Sequence, residues 1–112
     1  MPMSTTLARG NVGFEAVLQV SITPPSSLSA NTTVEQTYTV PGVVVGDFLE
    51  INKPSHTVGL SIGNIRASAA NTIAIQWVNS TTSTITSPPN EAYLIAVTRF
   101  DSVPNTPPAA IA

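Results

Sequence analysis

Phe14-Glu15-Ala16-Val17-Leu18-Gln19-Val20-Ser21-Ile22 reads with a period of two. Phe14, Ala16, Leu18, Val20 and Ile22 share one face, and Glu15, Val17, Gln19 and Ser21 share the other. Successive side chains of an extended chain point to opposite faces, so the alternation predicts a half-buried β-strand. Thr23-Pro24-Pro25-Ser26-Ser27 ends it, because tandem prolines bring no N–H to a ladder.

The same period returns along the chain. Val34, Gln36, Tyr38 and Val40 share a face in a second strand from about Thr33 to Val40. Pro41-Gly42 then turns the chain, proline fixing φ at the first turn position and glycine accepting positive φ at the second. A third strand is expected over Asp47–Asn52, ended by Lys53-Pro54-Ser55, and a fourth over Val58–Ala67. In the fourth, Val58, Leu60 and Ile62 alternate up to Gly63-Asn64, after which Ile65 and Ala67 fall out of phase. A bulge at Gly63-Asn64 restores the phase, and glycine inside a strand commonly marks one. Ile73–Val78, Thr82–Thr86 and Ala92–Phe100 complete the series. The last is apolar on both faces, which places it at a sheet centre or in a subunit contact.

About seven short strands with turn residues in every gap, and no window of helical spacing, predict an all-β chain. The expected architecture is a single antiparallel β-sandwich, jelly-roll-like or Ig-like. Residues 14–100 form its body, residues 1–13 an N-terminal arm and residues 101–112 a Pro-rich C-terminal tail favouring polyproline II.

Of the 112 residues, ten are charged and none is cysteine. That charge is far below the usual share of about a quarter. The net charge of −2 offers no electrostatic footprint for nucleic acid. No stretch reaches the roughly 20 apolar residues of a membrane-spanning helix, and Met1–Gly13 lacks the apolar run of a secretory signal. A surface of Ser, Thr, Asn and small apolar residues suits a protein that is covered by partners, so an oligomer is expected, a trimer or a dimer.

Chemistry is sparse. The carboxylates Glu15, Glu35, Asp47, Glu50, Glu91 and Asp101 show no paired spacing for acid–base work, and Asp47 and Glu50 are expected on opposite faces. His56 is the only histidine and sits in a turn, too few ligands for a metal and the only base for any serine nucleophile. No catalytic residue, cofactor or metal is expected. Trp77, Tyr38 and Tyr93 sit on apolar alternating faces, where packing in the core is the plain reading and sugar stacking the alternative. Arg66 and Arg99 are placed on an outer face or a subunit contact. Asn31-Thr32-Thr33 and Asn79-Ser80-Thr81 match the glycosylation pattern, as a chain this rich in Asn and Thr does by chance.

A set of stretches between Ser29 and Arg99 carries a resemblance. They are Ser29-Ala30-Asn31-Thr32-Thr33-Val34-Glu35-Gln36-Thr37-Tyr38-Thr39-Val40-Pro41-Gly42, Val45-Gly46-Asp47, Asn52-Lys53-Pro54 and Gly59-Leu60-Ser61-Ile62. Ile65-Arg66-Ala67-Ser68-Ala69-Ala70-Asn71-Thr72-Ile73, Trp77-Val78-Asn79-Ser80-Thr81, and Ile85-Thr86 through Tyr93 to Arg99 follow. Together they resemble a module of virion structural proteins of tailed bacteriophages, small β-sandwiches found in head decoration (cement) proteins and in fibre-type proteins. The resemblance implies no catalytic residue. With a lone small module it implies a protein on the outer surface of the head that bridges neighbouring major capsid protein subunits. The alternative is a receptor- or glycan-binding module of a fibre or tail protein. The expected contacts are in the arms: Arg9 and Val12 in the first, and Val103, Pro107, Pro108 and Ile111 in the second.

Overall fold

A computed structural model describes residues 12–101, and they contain β-strands and no helix. The strands are β1 (Val12–Ile22), β2 (Ser27–Leu28), β3 (Thr32–Thr39), β4 (Phe48–Asn52), β5 (Leu60–Ala69), β6 (Thr72–Asn79), β7 (Ile85–Thr86) and β8 (Glu91–Phe100). They form three antiparallel sheets, with orders β1-β8-β4, β3-β6-β5 and β2-β7. The all-β expectation therefore holds; the described residues form eight strands in three sheets, where about seven strands were expected. The extra sheet pairs Ser27 with Thr86 and Leu28 with Ile85, leaving only two residues of the expected Thr82–Thr86 strand. Thr81 and Ser83 are instead bonded to the side chain of Asn79, which takes that segment out of any ladder.

The inward faces of the two three-stranded sheets supply one apolar core. β8 gives Tyr93, Ile95 and Val97, β4 gives Leu49, and β6 gives Ile73, Ile75 and Trp77. Leu18 and Val20 of β1 and Tyr38 of β3 pack against it from the edges, half-buried. Each of these large side chains, when fully buried, contributes about 1.5–3 kcal/mol. Trp77 and Tyr93 meet edge to face, their ring centres 6.2 Å apart. The apolar-on-both-faces strand, β8, is the centre of its sheet.

Local signals explain the turns. Gly42 has φ +97° and the Val43 N–H donates to the Val40 carbonyl at 3.3 Å, closing the Pro41-Gly42 turn as expected. The register of β5 against β6 shifts between Ile62 and Asn64, so Gly63 is the extra residue and Ile62 and Ile65 both face Trp77 and Ile75. A side chain at Gly63 would press on Gln76 and Val78, which is why glycine stands there. A second shift between Ala67 and Ala69 carries no glycine to announce it. β1 starts at Val12, not Phe14, so the arm boundary expected at residue 13 falls within a strand. Gly13 is the irregular residue there, packed against Asp101.

Candidate functional site

The two ends of the sheet pair are built differently, and one of them gathers the features of a contact site. Val12 pairs with Phe100, so the described residues begin and end at that end of the β1-β8-β4 sheet. The loop 40–47 lies there too, leading into Phe48 at the start of β4, opposite Thr98. Its outer side chains Val44 and Val45 are 42% and 67% exposed, Phe48 at the start of β4 is 54% exposed, and Phe14 in β1 is 47% exposed. An apolar groove of about 290 Å³ opens beside them, lined by Phe14, Ala16, Leu18, Val43, Val97 and Arg99.

A charged clasp holds this loop. Arg99 donates from Nε to Asp47 Oδ1 and from Nη2 to Asp47 Oδ2, both at 2.8 Å, and from Nη2 to the Gly42 carbonyl at 2.8 Å. The Asp47 side chain is almost wholly buried and also accepts from the Val44 N–H at 3.0 Å. The Arg99 bonds, with help from the Val44 N–H, hold the Asp47 carboxyl below its ordinary range against the opposing effect of burial. The Arg99 guanidinium also lies 5.2 Å from the centre of the Phe14 ring, a cation–π contact. Asn71, at the tip of the β5–β6 hairpin with φ +58°, completes the support. Its carbonyl accepts from the Val40 N–H, its N–H donates to the Val43 carbonyl, and its Oδ1 accepts from the Gly42 N–H.

The opposite end is polar and closed on itself. Lys53 Nζ bonds Glu91 at 3.1 Å, Thr57 and the Ser55 carbonyl, while the Ser55 hydroxyl donates to the second Glu91 oxygen. The Ser55 and Lys53 bonds hold the Glu91 carboxyl below its usual range. Asn79, 1% exposed, donates from Nδ2 to the carbonyls of Leu28, Ser29 and Ser83 and accepts from the Thr81 N–H and hydroxyl. Its amide nitrogen is fully engaged, so the Asn79-Ser80-Thr81 match is no acceptor for a glycan in this fold.

The sequence-predicted residues divide as follows. Arg9, Val103, Pro107, Pro108 and Ile111 lie outside the described residues, and Val12 is the half-buried first residue of β1. Arg66 is on an outer face as expected, in a two-bond pair with Glu35 across the β3-β6-β5 sheet. Arg99 is not on an outer face: it shares the inward face of β8 with Val97 and turns onto Asp47. Trp77 and Tyr93 are fully buried, which removes both as sugar-stacking platforms. The Trp77 indole N–H donates to the Tyr38 hydroxyl, which donates to the Thr23 carbonyl. Burial raises the Tyr93 hydroxyl pKa, and that oxygen has no hydrogen-bond partner among the described residues. His56 is exposed in its turn, and no cluster of His, Asp or Glu among the described residues is arranged to hold a metal.

Sequence reasoning missed the outward turn of Val44 and Val45 in the loop 40–47 and the Asp47–Arg99 clasp. The only signal was the run Val43-Val44-Val45 beside a glycine and a carboxylate, too apolar for a loop that faces solvent. No protein-family model, curated protein or solved structure matches the chain.

Proposed function

We propose that the chain is a structural virion protein that decorates and cements the head of a tailed phage. It would lie on the outer surface of the capsid, bridging neighbouring major capsid protein subunits, as a dimer or a trimer. The two three-stranded sheets, facing each other across one core, are read as the jelly-roll-like or Ig-like sandwich of such modules. No catalytic role is proposed.

One observation carries this reading: both terminal segments attach at the end where Val44, Val45, Phe48 and Phe14 stand exposed. A rigid clasp beneath exposed apolar side chains presents a contact surface at low entropic cost, since the loop is already ordered. The two terminal segments are tethered at the same end, and many copies on a lattice convert weak contacts into stable attachment. Binding the assembled shell but not its free subunits stabilises the shell by mass action. The resemblance of Ser29–Arg99 to phage modules supports the identity of the partner.

Co-sedimentation with mature, undecorated capsids of a tailed phage tests it. Saturable binding at a fixed copy number per shell is expected, with weak salt dependence because few charges are available. Removing residues 103–112 should weaken binding while leaving the β circular-dichroism signal intact. Absence of binding by the full chain overturns the proposal and turns attention to the fibre reading, for which a glycan array is the measurement.

A further inference from the structure

Four strands are edges of the two larger sheets, and they are not equally guarded. A free strand edge offers unpaired N–H and C=O groups to another strand, and sheets usually protect it with charge, proline, bulges or a covering element. β4 is five residues long and runs beside β5 of the other sheet. β5 has two bulges and carries Arg66. β3 carries Glu35, tied to Arg66, and is otherwise largely Thr and Gln. β1 is long and mostly apolar, and its protections are slight: the irregularity at Gly13 and the single charge of Glu15. From Phe14 to Ile22 it keeps unbroken register with β8, has no proline, lysine or arginine, and bears one charge, Glu15. Among the described residues nothing pairs along its other side.

We propose that β1 pairs antiparallel with β1 of a second copy of this chain, about a two-fold axis through Leu18. The occupant follows from the strand's own pattern. In that register Leu18 meets Leu18, Ala16 meets Val20, Phe14 meets Ile22, Val17 meets Gln19 and Glu15 meets Ser21. Every core-facing residue then stands opposite a core-facing one, and every outer residue opposite an outer one. The two Glu15 carboxylates end about 20 Å apart at the usual rise per residue, beyond the Debye length of about 8 Å. The pairing joins two three-stranded sheets into one of six and forms about eight to ten main-chain hydrogen bonds. It also continues an apolar face past Ala16 and Leu18, at the mouth of the groove beside β1. This dimer rests on the oligomer proposed above and needs no capsid, so its failure and that of capsid binding are separately visible.

Sedimentation of the full chain without capsids, over a wide concentration range, should show a species of twice the 11.6 kDa chain mass. Val17 is 68% exposed and Gln19 is exposed, so Val17→Lys with Gln19→Lys leaves the fold intact by circular dichroism and melting. That pair of substitutions sets like charges directly opposite at two positions, and it should weaken the dimer about tenfold or more. Register is read with single cysteines, which the native chain lacks. Opposed Cα atoms lie about 4.5–5.5 Å apart, within disulfide range. Val17→Cys chains mixed with Gln19→Cys chains should therefore cross-link faster than either variant alone. A monomer at every concentration, a trimer, a dimer indifferent to both lysines, or preferred Val17→Cys self-cross-linking would each overturn the proposal.

Discussion

The two ends of the sheet pair each hold a carboxylate in a cation's grip, yet they present opposite surfaces. At the end where the terminal segments attach, Asp47 is buried under Arg99, and the loop it anchors turns Val44 and Val45 outward. At the other end Glu91 is bound by Lys53 and Ser55, and around it Asn79 gathers three carbonyls inward. The first end spends its polar bonds on fixing a loop whose apolar side chains stay exposed. The second spends them on closing long connections that would otherwise leave buried carbonyls unpaired. Order with apolar exposure suits contact; order with polar closure suits stability. The comparison therefore predicts that substitutions at the two ends fail in different ways.

The largest stability loss belongs to Asn79→Ala. It removes every bond of a buried amide, leaving the Leu28, Ser29 and Ser83 carbonyls without that donor. A loss of about 2–4 kcal/mol is expected, since each buried group left unsatisfied costs about 1–3 kcal/mol. Urea denaturation measures it, and a change below about 1 kcal/mol would mean that this end is not the stabilising one.

Acid should separate the clasps next. Asp47 and Glu91 both have folded pKa values below the ordinary ones of about 3.9 and 4.3. A lowered folded pKa gives stabilisation that is complete above the unfolded value and lost as pH falls through the folded one. Stability should thus be level near neutrality and fall below about pH 4. Asp47→Asn should flatten that fall more than Glu91→Gln, because the Asp47 side chain is 1% exposed and Glu91 19% exposed. Denaturant midpoints of the three proteins across the acid range decide it, and equal flattening would show the clasps to be equivalent.

How much of this was readable beforehand depends on the range of the signal. The β1 alternation, the Pro24-Pro25 stop, the Pro41-Gly42 turn and the Gly63 bulge are local, each fixed by a residue's own backbone preference or by period, and each appears in the structure. The central place of β8 in its sheet was legible from its two apolar faces, although only the face of Tyr93, Ile95 and Val97 is buried and Leu94 stays exposed. The bulge after Ala67 was not, because Ser68 adopts it without the mark that glycine gives. Ser27–Leu28 is too short to show a period, and its pairing with Ile85–Thr86 is set by tertiary position alone. Asp47 and Arg99 were visible as charges, but only the β4–β8 register brings them together. The exposed apolar loop was hidden for the same reason. The run Val43-Val44-Val45 fell between the Pro41-Gly42 turn and the strand expected from Asp47, and nothing local showed that Arg99 would hold it in place with Val44 and Val45 turned outward.

The smallest effect on the fold should coincide with the largest on binding, and two valines test this. Val45 at the arm end is 67% exposed and Val58 near the opposite end is 75% exposed. Neither contributes much to the core, so Val45→Asp and Val58→Asp should each change stability by no more than about 0.5 kcal/mol. Binding should divide them. A carboxylate buried unpaired in a contact costs several kcal/mol, so Val45→Asp should weaken attachment to capsids at least about tenfold. Val58→Asp, kept in water, should bind as the native chain does. Loss of binding with Val58→Asp alone would exchange the roles of the two ends. Equal retention by both would move the contact off the loop, onto the terminal segments or the sheet faces.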